Sequence, residues 1–243
     1  MKKVKNYFKY GFVLFLITFF FDACNATEQV QIGKERLKRI HEQITLLHGD
    51  IRWEYPEQLM SAIFLPSEAK VLELGSDLGR NTCVIAKILN DSRNLVTLEP
   101  RLECIRYLTE NRNYNRFQFH IECAALSKTP LIEKGWITIA SDVDLPGYRR
   151  IKTVTFDQLQ KKYNILFDTL VADCEGGLYH MLKGEPEAMQ NIKLVILEND
   201  FHNEEQYQYV QNLFGLNGLH LVYNEGHLRF SGDNKFYQVW KKD

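Results

Sequence analysis

The chain lacks the usual marks of a stapled or metal-centred protein. Its five cysteines include no CxxC pair and no Cys/His cluster at ligand spacing, so neither a disulfide framework nor a thiolate metal centre is expected. Cys83 and Cys104 fall in predicted helices, Cys123 at a strand end and Cys174 in a loop, where reduced and mostly buried thiols are the simplest reading. Excess charge is also absent. A formal net charge of -1 over 243 residues argues against a protein that coats nucleic acid. Only one stretch is strongly apolar, which excludes a polytopic membrane protein, and there is no low-complexity linker. At 45% hydrophobic and 25% charged, the composition is that of a folded globular chain.

The near-neutral total conceals an asymmetry. Lys2, Lys3, Lys5 and Lys9 against Asp22 alone give residues 1–26 a charge of +3, leaving -4 for the rest. The run Gly11 to Phe21, GFVLFLITFFF, is 11 residues long, too short for an ideal helix to cross about 30 Å of hydrocarbon. A basic start, a short apolar run and small residues near Cys24 and Ala26 read as a secretory signal peptide, or as an uncleaved anchor over residues 7–26. Either would place the body in the secretory pathway or at a membrane, and a cytosolic hydrophobic tail is the third, less favoured reading. Segments are therefore expected at 1–26 (signal or anchor), 27–66 (helical lead-in) and 67–243 (main domain).

In the lead-in, Leu37, Ile40, Ile44 and Leu47 recur at helical spacing within residues 33–48, and a second helix is expected from Glu57 to Phe64, before Pro66. From Lys70 the pattern alternates. Apolar runs at Val71–Leu74, Leu95–Leu98, Phe117–Ile121, Thr169–Ala172 and Leu194–Leu197 are separated by helical stretches near 81–89, 102–111, 156–163, 177–182 and 204–213. Fully apolar strands between helices predict an α/β fold, a doubly wound, mostly parallel sheet covered on both faces. Leu219–Tyr223 and Phe236–Trp240 have no helix between them and predict a C-terminal antiparallel hairpin, turning near Gly232-Asp233-Asn234. Residues 127–153 interrupt the alternation with a polar, aromatic, turn-rich excursion. Trp136, Tyr148, Arg149 and Arg150 in it are candidates for an acceptor-binding wall.

The chemistry concentrates in VLELGSDLGRN, Val71 to Asn81. A strand runs into Gly75, which permits a tight turn and close approach of a ligand, and Gly79 opens a helix whose amides, with the Ser76 hydroxyl, could donate to an anionic group. The next strand ends in Glu99, 24 residues after Gly75, where doubly wound nucleotide sites place an acid that accepts from ribose hydroxyls. A nicotinamide site would call for a third glycine, whereas GxxxG here continues as Arg80-Asn81. Glu73, inside the turn strand, would repel a pyrophosphate and suit a cationic cofactor end. That charge logic favours S-adenosylmethionine over NAD.

These segments, with HIECAALS, FDTLVADCEGGL and LVILENDFH, resemble the FkbM-type S-adenosylmethionine-dependent methyltransferases over roughly Val71 to Trp240. The D-x-E-G step at Asp173, Glu175 and Gly176 points to this family among the class I methyltransferases. The resemblance implies a seven-stranded Rossmann-like sheet and methyl transfer, usually to an oxygen. It also implies that Glu73, Gly75, Ser76, Asp77, Gly79 and Asn81 bind the methionine part, Glu99 the ribose, and Ala124, Ala125 and Leu126 the adenine neighbourhood. Asp173 and Glu175 follow one strand, and Glu198, Asp200 and His202 the next, so all five are candidates at one sheet edge. Asp173 is the first choice for the base and His202 the second. A hydroxyl-bearing small molecule or glycan is the expected acceptor; no metal and no nucleic-acid partner is expected. Two other readings remain, a nicotinamide-dependent oxidoreductase and an exported non-enzymatic binding module on the same fold. The cofactor is cytosolic, whereas lysines held inside would put the body across the membrane.

Overall fold

The computed structural model describes residues 28–226 and 236–243. The N-terminal segment 1–26 and the proposed turn at Gly232 lie outside the described residues. Residues 28–41 form helix α1, followed by α2 (Tyr55–Phe64), β1 (Val71–Leu74), α3 (Arg80–Ile88), β2 (Leu95–Leu98), α4 (Leu102–Tyr114) and β3 (His120–Glu122). Then come β4 (Ala125–Leu126), β5 (Leu131–Lys134), β6 (Ile137–Ala140), β7 (Arg149–Ile151), β8 (Thr153–Val154) and α5 (Phe156–Tyr163). The chain continues with β9 (Thr169–Ala172), α6 (Gly177–Gly184), β10 (Leu194–Glu198), α7 (Glu204–Leu216), β11 (His220–Glu225) and β12 (Tyr237–Lys241).

Seven strands make one sheet in the order β11-β12-β10-β9-β1-β2-β3. β3, β2, β1, β9 and β10 are mutually parallel, and β12 runs antiparallel to both β10 and β11. This is the doubly wound, Rossmann-like sheet with a C-terminal antiparallel hairpin that the pattern predicts. The chain winds outward from β1 to β3, then returns to lay β9 on the other side of β1. The order therefore reverses between β1 and β9, and a doubly wound sheet opens its ligand crevice there.

Strand alternation sorts the side chains between two cores. Leu72, Leu74, Val96, Leu98, Leu170, Ala172, Val195 and Leu197 pack with α5, α6 and α7. Val71, Leu95, Val171, Leu194 and Ile196 pack with α1, α2, α3 and Leu108 of α4. Each such fully buried side chain stabilises by about 1.5–3 kcal/mol. Period two also places Glu73 on the second face and, at the last residue of β10 and one residue past β9, Glu198 and Asp173 beside it. That face receives α2.

The lead-in joins this second core. Leu37, Ile40 and Ile44 are buried, and α1 crosses α2 so closely that a Cβ on Gly33 would lie 2.2 Å from Ile63 Cγ1. The predicted helix over 33–48 stops at residue 41, and Leu47 is 50% exposed. Its continuation is captured sideways: Asn115 Oδ1 accepts from the Thr45 amide, and Asn111 Oδ1 from the amides of Leu47 and His48. β3 starts at His120, not Phe117, because the Phe117 amide donates to Arg112 O and the Gln118 amide to Ser92 Oγ. α5 begins as its sequence dictates, with a capping box between Thr155 and Gln158.

The excursion is more ordered than a turn-rich loop. β6-β5-β7 form a three-stranded antiparallel sheet, and β4 pairs with β8 at its root. The Thr138 amide of β6 donates to Glu175 O at 3.2 Å, so this accessory sheet docks on the D-x-E-G turn.

Candidate active site

A cleft of about 780 Å³ opens at the carboxyl ends of β1, β2, β9 and β10. Gly75, Asp77, Glu99, Ala124, Ala125, Leu126, Asp173, Glu175 and Glu198, all marked in the sequence, line it. α2 and the residues before it add Trp53, Glu54 and Glu57, and the accessory sheet adds Glu133 and Trp136.

Gly75 is required for a reason different from ligand approach. It has φ +82, and a Cβ there would lie 1.6 Å from the Asp173 carbonyl oxygen. The missing side chain lets the ends of β1 and β9 close against each other at the switch point. Gly79 likewise has φ +88 and meets Leu108 of α4, and Gly176, at φ +84, lies under the His202 ring.

Glu99 is 2% exposed, and three donors of the turn and its flank bind its carboxylate. Oε2 accepts from the Asp77 amide at 3.0 Å; Oε1 accepts from the Arg101 amide at 2.8 Å and Arg101 Nε at 3.0 Å. Asp77, a non-glycine residue at φ +40, binds Arg80 Nη1 at 2.7 Å and Arg101 Nη2 at 3.2 Å. Arg101 also stacks on the Trp136 ring, 4.7 Å from its centroid. It thus bridges Glu99, the glycine turn and the accessory sheet.

The inner wall is acidic. Burial pushes Glu73 up to about 7, partly offset by the Thr97 and Thr82 hydroxyls near it. Burial raises Glu54 to about 7 against the opposing pull of Arg80, which donates to it at 2.6 Å. Burial, reinforced by Glu57, Asp200 and Glu54, lifts Asp173 well above the usual carboxylate range. Glu198 is raised by burial and the neighbouring Asp173 charge, and Glu175 rises to about 7 through burial and Asp200, with Arg101 opposing. Such clustering of displaced acids in a cleft marks a functional site.

No family model and no curated protein matches the chain. Solved structures of similar shape include a NADB-Rossmann superfamily protein from Streptococcus agalactiae, 12% identical, with TM-score 0.49 over 79% of this chain and 70% of that one. A candidate O-methyltransferase from Klebsiella pneumoniae is 14% identical, TM-score 0.48, over 87% and 90%. A ribosomal protein L11 methylase from Lactobacillus delbrueckii subsp. bulgaricus is 12% identical, TM-score 0.45, over 81% of each chain. The fold of this chain is established by its own strand order.

Several expected residues lie elsewhere. Ser76 is buried and directs its amide and hydroxyl to Leu98 O, at 3.3 and 3.5 Å, instead of offering donors to the cleft. Asn81 is 8% exposed and accepts from Ser61 Oγ, locking α3 to α2. Asp200 Oδ2 accepts from the Cys174 amide at 3.0 Å and shapes the D-x-E-G turn; it does not line the cleft. His202 packs on Gly176, also outside the lining. Of the four excursion residues proposed as an acceptor wall, Trp136 alone reaches the cleft. Arg149 pairs with Glu133, Arg150 with Asp144 at 2.7 Å, and the Tyr148 ring lies 5.8 Å from Lys134 Nζ.

Sequence reading missed Glu54, Glu57 and Arg101. Glu54 stands at φ +60 just before α2, a conformation that no local glycine signals. Arg101 could have been found from its place two residues after Glu99, on the same loop. The four described cysteines are free, with Cys83 and Cys104 buried and Cys123 and Cys174 half-buried.

Proposed function

We propose that the protein transfers a methyl group from S-adenosylmethionine to a hydroxyl on a glycan or other small metabolite. The observation that carries this reading is an acid-lined cleft at the sheet's switch point, with Glu99 in its lining after β2. A cofactor bearing a sulfonium and an ammonium group gains from such a wall, whereas a dinucleotide pyrophosphate beside Glu54, Asp77, Asp173 and Glu175 would be repelled. That disfavours the oxidoreductase reading.

When bound, the cofactor supplies an electrophilic methyl group. Glu99 offers about four acceptor sites, of which three are engaged, so it can take one ribose hydroxyl directly and a second if Arg101 Nε yields. Glu175, raised to about 7 and facing the cleft, is suited to accept the acceptor's proton near neutral pH. Asp173, which burial and the surrounding acids raise well above the usual carboxylate range, is less suited to that step than its place in the motif suggests. Trp136, 63% exposed and braced by Arg101, offers a flat face to a sugar ring or other planar acceptor. The remaining contribution is alignment of hydroxyl and methyl.

Calorimetry on the full-length protein with S-adenosylmethionine and S-adenosylhomocysteine tests the reading, which fails if neither binds. Glu99→Ala should weaken the cofactor about 100-fold, in line with losing hydrogen bonds to a charged group at about 1.5–3 kcal/mol. Labelled-methyl incorporation into glycan, small-molecule and RNA fractions of a cell extract then identifies the acceptor class. Incorporation into none, with cofactor bound, would favour a non-enzymatic module. Residues 1–26 we read as a signal or anchor, a placement checked by protease protection in intact membranes.

A further inference from the structure

Deep to the cleft lies a cavity of about 10 Å³, room for about one water-sized sphere. Glu57 of α2, Asp173 after β9 and Glu198 at the end of β10 line it. Each presents a carboxylate oxygen, and the three oxygens lie within 4.8 Å of one another. Their meeting follows from the fold, since strand alternation carries Asp173 and Glu198 to the face that α2 covers.

A second observation points to a ligand. Glu73 lines the same cavity and is only 2% exposed, yet its Oε2 makes no well-formed hydrogen bond, with the Thr82 and Thr97 hydroxyls as its nearest polar neighbours. Buried carboxylate oxygens are ordinarily satisfied, and one aimed into an acidic cavity calls for positive charge. Protein cations do not supply it: among the described residues Asp173 and Glu198 pair with no Lys, Arg or His, and Arg80 is committed to Glu54 and Asp77.

The donor set is all oxygen, with neither thiolate nor imidazole, which selects hard cations. Ligands on opposite sides of a Ca²⁺ ion stand about 4.6–5.2 Å apart, and around Mg²⁺ about 4.0–4.2 Å. Three oxygens within 4.8 Å of one another can share one such hard cation. We propose that Glu57, Asp173 and Glu198 bind one hard divalent cation at the inner end of the cleft, with Glu73 as a neighbouring acceptor. The sequence holds no Cys/His signature for it because the ligands are carboxylates from three distant segments. The site stands independently of the methyl-transfer reading.

Chelator-stripped full-length protein is titrated with MnCl₂, with free Mn²⁺ followed by electron paramagnetic resonance and CaCl₂ and MgCl₂ added in competition. One ion per chain is expected, with Kd below about 1 mM. Asp173→Asn and Glu198→Gln should each weaken it at least tenfold, whereas Asp142→Asn, at an exposed acid of the accessory sheet, should leave it unchanged. Should either variant fail to fold, Glu198→Asp keeps the charge and must change the Mn²⁺/Ca²⁺ preference. Failure to bind an ion stoichiometrically, or equal affinity in native protein and cluster variants, overturns the site. S-adenosylmethionine binding is measured separately in EDTA, so the two readings fail independently. Loss of cofactor in both variants, with no Mn²⁺ held by the native protein, would mean that the acids bind the cofactor's ammonium group, and would overturn the cation site.

Discussion

The accessory sheet and the inner wall of the cleft treat charge in opposite ways. On the accessory-sheet side, Arg149 with Glu133 and Arg150 with Asp144 are paired near solvent. On the α2 side, Glu54, Glu57, Glu73, Asp173 and Glu198 crowd together, with Arg80 the one cation among the lining residues on that wall. An exposed pair contributes little, about 0–1 kcal/mol, and carries little functional information. Buried acids such as Asp173 and Glu198, which pair with no Lys, Arg or His among the described residues, oppose folding unless protonated or given a positive ligand, and are the stronger sign of function.

The junction between the walls is where the contrast breaks most easily. Gly75→Ala places a methyl group 1.6 Å from the Asp173 carbonyl at φ +82. We expect a loss of about 3–5 kcal/mol in denaturant unfolding, with the inner wall disrupted first. An unchanged midpoint would show that β1 and β9 do not close as described.

Next in size is a pH effect confined to the inner wall. Glu73 has a folded-state value of about 7, above its ordinary 4.5, so the folded protein retains a proton that the unfolded chain loses. Its contribution is present below pH 4.5 and is lost as pH rises through 7. In chelator-treated protein, stability should fall between about pH 5 and 8, and Glu73→Gln should flatten that fall by on the order of 3 kcal/mol. Denaturant midpoints at the two pH values read this directly, and parallel profiles would refute it.

The outer wall should respond through recognition rather than stability. Trp136→Ala removes a face 63% exposed and its Arg101 contact, so stability should change by less than about 1 kcal/mol while KM for the acceptor rises several-fold. A fall in kcat at constant KM would assign the ring to the reaction instead. Smallest of all, Arg150→Ala should shift stability by under about 0.5 kcal/mol. A larger loss would mean that this hairpin is braced by its ion pairs.

The legible parts were those with a local cause. β1, β2 and β9 coincide with their short apolar runs because strands buried on both faces draw mainly on apolar side chains, with one polar residue each in Glu73, Thr97 and Thr169. Glu99 and the glycine turn were legible because their spacing is set by one strand-helix-strand unit. The accessory sheet was not: its strands mix Trp136, Thr138 and Arg149 with turn residues, and their pairing holds them together rather than any core period. Ser76, Asn81, Asp200 and His202 were placed by proximity in sequence, yet backbone carbonyls, Ser61, the Cys174 amide and Gly176 claim them.

By itself, then, the sequence determined a doubly wound α/β sheet with a C-terminal hairpin, the switch-point glycine and the acids at the strand ends. Each of these depends on period, burial or spacing within a few tens of residues. Tertiary structure alone decided which acids share a wall. Glu57 lies 116 residues before Asp173 and 141 before Glu198, and only the packing of α2 over β9 and β10 brings their oxygens within 4.8 Å. Such a contact depends on how helices cover a sheet, and no local pattern encodes it.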